Sequence, residues 1–177
     1  MTVLTAVRPA ADEHVPYYAK YIALVPEADA VTALEGQLSD MLPLLRSLSE
    51  AQGALRYAPG KWSVKEVIGH LIDSERVFAY RALRFARADR APLAGFDENA
   101  YVPAARFDRV ALQALVEELE WVRRANLAMF RALDDEAWPR RGTANETEVS
   151  VRALAFIIAG HGRHHVAIVR ERYLRTP

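Results

Sequence analysis

Three of the five histidines in this chain occupy positions that suggest a shared metal ion. His161 and His165 stand four residues apart, so on a helix both side chains project from the same face. His70 lies among apolar residues of another predicted helix. Three neutral imidazoles that leave one position open form the ligand set of a catalytic zinc site, in which that position holds a water of lowered pKa. The spacing alone leaves two alternatives to metal binding: the histidines could be hydrogen-bonded within the core, or they could be exposed to solvent.

Several neighbouring residues are candidates for supporting roles. His164 could replace His165 as a ligand, but we expect it at the edge of the site. Asp73, one turn after His70, is a candidate catalytic base or orienting partner, although a surface or helix-pairing role would also explain it. Candidates that could close over the site, or simply form turns, lie in a long connection: Asp97, Asn99 and Tyr101.

Four amphipathic helices are predicted to position these residues. From about 29 to 50, apolar residues recur at steps of three and four, the period of a helix with one buried face. Ser63 and Glu66 form a capping-box pattern that begins a second helix, which runs to about Ala88. Asp108 is expected to cap the third helix and Ser150 the fourth. Without an alternating strand pattern, the sequence predicts an all-α, up-and-down four-helix bundle.

The segments outside these helices are rich in proline and glycine. Residues 1–28 contain Pro9, Pro16 and Pro26, which predicts an extended N-terminal arm laid over a bundle domain of residues 29–177. Residues 89–107 are too irregular for a predicted helix and long for a bundle connection, so this segment is expected to wrap over functional groups.

The charge pattern makes some functions improbable. The 23 basic and 23 acidic residues of the 177-residue chain cancel, which argues against nucleic-acid binding. The arginines of residues 81–90 and 123–124 are interleaved with apolar positions and are interpreted as a solvated helix face.

With no cysteine, the chain lacks a disulfide, a Cys-ligated zinc site and a thiol nucleophile. No apolar run approaches the ~20 residues of a membrane span, and we expect a cytoplasmic protein.

Two sequence motifs resemble those of a known family. The run Tyr57-Ala-Pro-Gly-Lys-Trp-Ser-Val-Lys-Glu-Val-Ile-Gly-His70-Leu-Ile-Asp-Ser-Glu75 precedes His161-Gly-Arg-His-His165 in the order that is typical of the DinB/YfiT-like superfamily of metalloenzymes. The resemblance extends from about Tyr21 to Tyr173. It implies that a divalent ion, zinc or nickel, is bound by His70 on the second helix and by His161 and His165 on the last.

The resemblance also carries expectations about activity and partners. Family members include thiol-dependent transferases, which use a low-molecular-weight thiol, and metal-dependent hydrolases, and relatives commonly form homodimers. We therefore expect one ion per chain, a small-molecule substrate and a homodimer. Two alternatives stay open. One is a non-catalytic, stress-related module that binds a metal or a small molecule, and the other is a partner-binding bundle whose histidines belong to the core.

Overall fold

The computed structural model describes residues 7–174 of the chain. It is mostly helical, with one small hairpin, and its elements are as follows: α1 (Pro16–Ile22), α2 (Ala30–Ser47), α3 (Glu50–Gly53), α4 (Val64–Ala86), α5 (Glu98–Ala105), α6 (Leu112–Arg131), β1 (Arg141–Ala144), β2 (Thr147–Ser150) and α7 (Val151–Ile168). A π-helical turn continues α7 through Val169–Tyr173. The four long helices α2, α4, α6 and α7 match the four predicted ones.

Capping groups fix where the long helices begin. The Ser63 hydroxyl accepts a hydrogen bond from the backbone N–H of Glu66 at 3.2 Å, and the Glu66 carboxylate accepts from the Ser63 N–H at 2.6 Å, so the predicted capping box is confirmed. Ser150 caps α7 as predicted. The prediction for Asp108 is wrong, because α6 begins at Leu112, whose N–H donates to the Glu50 carboxylate at 2.9 Å. That acceptor comes from α3, which is distant in sequence.

The long helices pack in an order that differs from the predicted one. Both α2 and α4 pack against α6 and α7, so α2 and α4 occupy opposite corners of the bundle. In the predicted up-and-down order, each helix would instead lie beside the next. The connections over residues 48–63 and 132–150 are long enough to cross an end of the bundle and make this order possible. One consequence is that α4 and α7 are direct neighbours.

A continuous apolar core holds the four helices together. Burial of these side chains provides the main driving force for folding. Its fully enclosed members include Leu34 and Leu45 of α2, Ile68 and Phe85 of α4, Leu115 and Phe130 of α6, and Phe156 and Ile157 of α7.

The N-terminal segment is not an extended arm throughout. Residues 16–22 form α1, which packs against α7 and buries Tyr21 and Ile22 in the same core. Its close approach requires Gly160 on α7, because a methyl group there would overlap the Tyr21 carbonyl oxygen. The first six residues of the predicted arm and residues 175–177 of the predicted domain lie outside the described residues.

Two connections contain regular structure that the sequence pattern does not reveal. Residues 89–107 include α5, which packs against α4. Between α6 and α7, β1 and β2 form an antiparallel hairpin that pairs Arg141 with Ser150 and Ala144 with Thr147. Leu93 joins the edge of β1 through a bridge to Ala144, so the long connection is anchored to the hairpin. No helix among residues 7–174 combines the length and apolar character needed to cross a membrane.

Candidate metal centre

The packing of α4 against α7 brings His70, His161 and His165 into one group. The Nε2 atom of His161 is 3.0 Å from Nε2 of His70 and 3.0 Å from Nε2 of His165. One nitrogen of each ring lies within 4.8 Å of a nitrogen of the other two. His70 and His161 are buried, and His165 is half-buried. Three potential ligand atoms therefore face one point inside the protein.

Hydrogen bonding alone does not account for this arrangement. A neutral imidazole nitrogen carries either one hydrogen or one lone pair, so Nε2 of His161 can form a hydrogen bond with only one of its two nitrogen neighbours. A divalent ion bound at about 2.0–2.1 Å, with ligand–metal–ligand angles of about 90–110°, places its nitrogen ligands about 2.9–3.4 Å apart. The 3.0 Å separations lie in this range. The donor set thus fits a divalent metal better than it fits a hydrogen-bonded histidine cluster.

The environment keeps these imidazoles neutral. Burial lowers the pKa of His70 to about 4 and that of His165 to about 3, the latter with a smaller contribution from the neighbouring His70 and His164 rings. Burial and the adjacent imidazoles also lower the pKa of His161 well below its ordinary value. Near pH 7 all three rings are therefore unprotonated at one nitrogen, which is the form that binds a metal.

Ser74 contacts His70 from one turn further along α4. Its hydroxyl oxygen is 3.3 Å from Nδ1 of His70 and is buried. An Nδ1–H that donates to this hydroxyl leaves the lone pair on Nε2 free to point toward the other histidines. Ser74 is not among the site residues predicted from the sequence, although its i+4 spacing from a candidate ligand is a signal for such an orienting group. Trp62 packs on the same ring, with centroids 4.9 Å apart.

The histidines form one wall of a cavity of about 420 Å³. Aromatic rings form a large part of the remaining lining, and they come from α1, from α4 and from the connections that precede α4 and α5. The aromatic lining consists of Tyr17, Tyr18, Tyr21, Trp62, Phe78 and Phe96, and the charged residues in it are Arg81 and Glu98. A cavity that combines aromatic walls with several convergent polar groups is typical of a small-molecule site.

The structure separates the supporting candidates. His164 lines the cavity, and its ring packs against Tyr21 with centroids 5.5 Å apart. Asp73 does not line it. The charges that influence the Asp73 carboxyl are those of Arg76 and Glu118, and burial is the main cause of its raised pKa. This position does not support the predicted role of Asp73 as a base.

The three candidates in the long connection have different positions. Asp97 caps α5, because its carboxylate accepts a hydrogen bond from the Asn99 N–H at 2.9 Å. The Asn99 side chain lines a neighbouring cavity that His165 also borders. Tyr101 is exposed and its ring packs against Phe96. The connection does cover the site, but it does so mainly through Phe96 and Glu98.

Comparisons with known proteins place this site in a family context. No curated protein matches the chain. Among solved structures, YfiT from Bacillus subtilis matches with a TM-score of 0.73 and 18% sequence identity, over 92% of this chain and 89% of that chain. It is described as a probable metal-dependent hydrolase with an unusual four-helix bundle topology, and the likeness shows that the fold is shared.

A family model matches directly at the sequence level. The model of the DinB superfamily covers residues 33–169, a range that begins within α2, ends just beyond α7 and includes all three clustered histidines. This match agrees with the resemblance that the two histidine motifs indicate. The chain belongs to the DinB superfamily.

Proposed function

We propose that the protein is a metal-dependent hydrolase in which His70, His161 and His165 bind one divalent ion, zinc or nickel. The observation that carries this proposal is the convergence of three imidazole nitrogens at the wall of a cavity. Among residues 7–174, no cysteine, carboxylate or further histidine completes the group. Fewer protein ligands than the ion requires leave a position for an exchangeable molecule, as in catalytic sites.

A bound divalent ion would supply a Lewis acid, which lowers the pKa of a water or thiol at the open position. The surrounding residues prepare that position. Ser74 holds His70 in the orientation that presents Nε2. Glu98 is the carboxylate that the described part of the chain presents to the cavity, so we assign it the acceptance of a proton from the nucleophile. The aromatic lining offers a surface for the apolar part of a substrate.

Hydrolysis is the reaction we propose because YfiT, which shares the fold, is described as a probable metal-dependent hydrolase. Thiol-dependent transfer would use the same open position, and its thiol would come from a cosubstrate, since the chain has no cysteine. The homodimer expected from the resemblance stays a prediction.

The first test is the metal content of purified, untagged protein. Elemental analysis is expected to find about one zinc or nickel ion per chain in the wild type. The variants His70→Ala, His161→Ala and His165→Ala should each lose it and stay folded, because the apolar core provides most of the stability. His14→Ala is the matched control, since His14 lies outside the cavity lining. Loss of metal from His164→Ala, with retention in His165→Ala, would show that the ligand set is wrong.

The second step separates the possible reactions. Hydrolysis of 4-nitrophenyl acetate is measured for the metal-loaded wild type and for His161→Ala, with and without glutathione. Turnover that requires His161 and no thiol supports the hydrolase. Turnover that requires the thiol replaces it by thiol-dependent transfer. Stoichiometric metal without any turnover across a panel of esters and amides favours a non-catalytic binding module.

A further inference from the structure

Arg81 is a buried cation that faces the candidate metal cavity from α4. Arg81 is only 4% exposed to solvent, and it lines the cavity. Nη2 donates a hydrogen bond to the Ala94 carbonyl at 2.9 Å. The Cζ atom lies 5.9 Å from the centroid of the Phe78 ring and 5.8 Å from that of Phe96. Within residues 7–174, Arg81 forms no ion pair with a carboxylate. The polar side chain that interacts with its guanidinium is that of Tyr18, through the hydroxyl group.

A second buried arginine shows what is missing at Arg81. Arg123 donates from Nε and Nη2 to the two oxygens of Glu75, at 2.7 and 2.9 Å. This bidentate ion pair compensates for the loss of water around the guanidinium. Arg81 is almost as deeply buried, but no carboxylate among the described residues pairs with it. Its neighbours are the Ala94 carbonyl, the Tyr18 hydroxyl and the rings of Phe78 and Phe96. A buried guanidinium that borders an open cavity has donors available for an anion from outside.

We infer that Arg81 binds a carboxylate group of the substrate, an inference that rests on the proposed function for the identity of the reacting centre. Phe78 is close to both groups, because its ring centroid is 6.2 Å from that of His161 and 5.9 Å from Cζ of Arg81. A molecule with its carboxylate on Arg81 can therefore pack its apolar middle against Phe78 and reach the histidines with its other end. The substrate class is a small carboxylic acid whose reacting group lies about one ring away from its carboxylate.

The charge balance of the cavity favours a carboxylate over a phosphate. Arg81 is the one arginine or lysine among the described residues of the lining, and Glu98 adds a negative charge to the same wall. A monoanion balances the single guanidinium with two parallel hydrogen bonds. A phosphate dianion would carry a second negative charge that the Arg81 guanidinium alone does not offset.

The test uses three probes of similar shape: benzoate, benzamide and phenyl phosphate. Binding to the wild-type protein is measured by isothermal titration calorimetry, before and after treatment with a chelator, and metal content is determined in each sample. Benzoate is expected to bind about 10- to 100-fold more tightly than benzamide, because the charged hydrogen bonds are lost in the neutral amide. Equal binding of these two probes, or tighter binding of phenyl phosphate, would overturn the inference.

Variants assign the effect to Arg81. Arg81→Gln should weaken benzoate binding by about tenfold or more and leave benzamide binding unchanged. The matched control is Arg84→Gln, which removes a positive charge three residues further along the same helix, where Arg84 is paired with Asp89 outside the cavity. The inference is wrong if Arg81→Gln binds benzoate like the wild type. If Arg81→Gln does not fold, the comparison of benzoate with benzamide still tests the inference, because it needs only the wild-type protein.

The chelated sample separates this inference from the proposed function. Benzoate that binds through Arg81 should keep its affinity within about threefold when the metal is removed. If benzoate binding instead disappears with the metal and is insensitive to Arg81→Gln, the carboxylate was bound to the ion and the Arg81 site is refuted. If the protein contains no metal but binds benzoate through Arg81, the proposed function fails and the carboxylate site remains.

Discussion

Ser74 is positioned to set which nitrogen of His70 is available to a metal. Its buried hydroxyl lies 3.3 Å from Nδ1, and it is the hydrogen-bonding side chain on that nitrogen among the described residues. A hydrogen on Nδ1 can be accepted there, which leaves Nε2 unprotonated and directed at His161. Groups that orient a metal-binding histidine in this way affect metal affinity without touching the metal.

The variant Ser74→Ala is therefore expected to weaken metal binding by about 10- to 100-fold. The free energy of unfolding of the metal-free protein should fall by about 1–3 kcal/mol, because the Nδ1–H of His70 loses its acceptor. Metal affinity is measured by competition with a chromophoric chelator. Ser74→Thr keeps the hydroxyl and should restore affinity, whereas Ser39→Ala removes an exposed hydroxyl and should change nothing. Wild-type affinity in Ser74→Ala would show that the contact has no orienting role.

Residue types predicted the centre of the site better than its periphery. The three histidines stand on apolar helix faces, so their spacing brings them to the interior. The arginines of residues 81–90 were predicted to be solvated, and this is wrong for Arg81, as it is for Arg123 in the second basic stretch, because both are buried. Nothing local marks Arg81 as buried, since apart from Phe78 on the same helix the groups that cover it come from α1 and from the connection before α5. Burial of a long charged side chain depends on which distant segments pack over it.

At the scale of elements, Glu13 holds the N-terminal segment on the start of α7. Its carboxylate accepts hydrogen bonds from Nε of Arg152 at 2.6 Å and from the N–H of Ala10 at 2.9 Å. Burial alone would raise the pKa of this carboxyl, but these hydrogen bonds outweigh burial and lower the pKa from 4.5 to about 2. The segment that follows is α1, which provides Tyr21 to the cavity wall.

This depressed pKa predicts a specific loss of stability in acid. Above about pH 4.5 the carboxylate is charged in both the folded and the unfolded chain, and the Glu13–Arg152 interaction contributes fully. As pH falls from about 4.5 toward 2, the unfolded chain takes up the proton first and the contribution is lost. Glu13→Gln should lower the free energy of unfolding at pH 7 by about 3 kcal/mol and reduce its decline in acid.

Urea unfolding between pH 2.5 and 7, followed by tryptophan fluorescence, tests this prediction. The adjacent Asp12→Asn is the matched control, because Asp12 pairs with Arg141 at a largely exposed position where solvent screens the charge. It should leave the free energy of unfolding close to that of the wild type at every pH. Parallel pH profiles for the wild type and Glu13→Gln would contradict the assignment.

The elements that the sequence predicted are those that carry their own signals. The four long helices show apolar periodicity over several turns, and Ser63 and Ser150 mark two of their starts. The short α1 and the four-residue strands are below the length at which local propensity stabilises an element by itself. They depend on tertiary contacts, such as that of Tyr21 with Gly160, which no local pattern reveals.

At the scale of the whole molecule, one buried polar network connects all four long helices. Arg123 of α6 binds Glu75 of α4 and donates through Nη1 to the Gln37 side-chain oxygen of α2 at 2.7 Å. The Gln37 amide in turn donates to the Ala159 carbonyl of α7 at 2.8 Å. The link from Arg123 to Gln37 joins α6 to α2, which would lie diagonally opposite each other in an up-and-down bundle. We therefore propose that this network selects the observed packing order. The apolar stripes alone would also allow the up-and-down order.

Breaking this network is expected to destabilise the entire bundle. Glu75→Ala leaves the Arg123 guanidinium buried without its carboxylate and should lower the free energy of unfolding by about 3–5 kcal/mol. The double variant Glu75→Leu/Arg123→Met removes both charges and should cost clearly less, because no charge is left uncompensated. At the exposed pair of Arg131 with Glu35, Glu35→Ala should cost less than about 1 kcal/mol.

Chemical denaturation gives these free energies, and metal content gives a second measurement. Glu75, Arg123 and His161 border the same small cavity, so a shift of α7 against α4 would also move a candidate ligand. If the double variant is stable but binds less metal, the network fixes the packing order that the site requires. If Glu75→Ala is no less stable than Glu35→Ala, the buried pair does not hold the helices together, and the order of packing must then come from the apolar core alone.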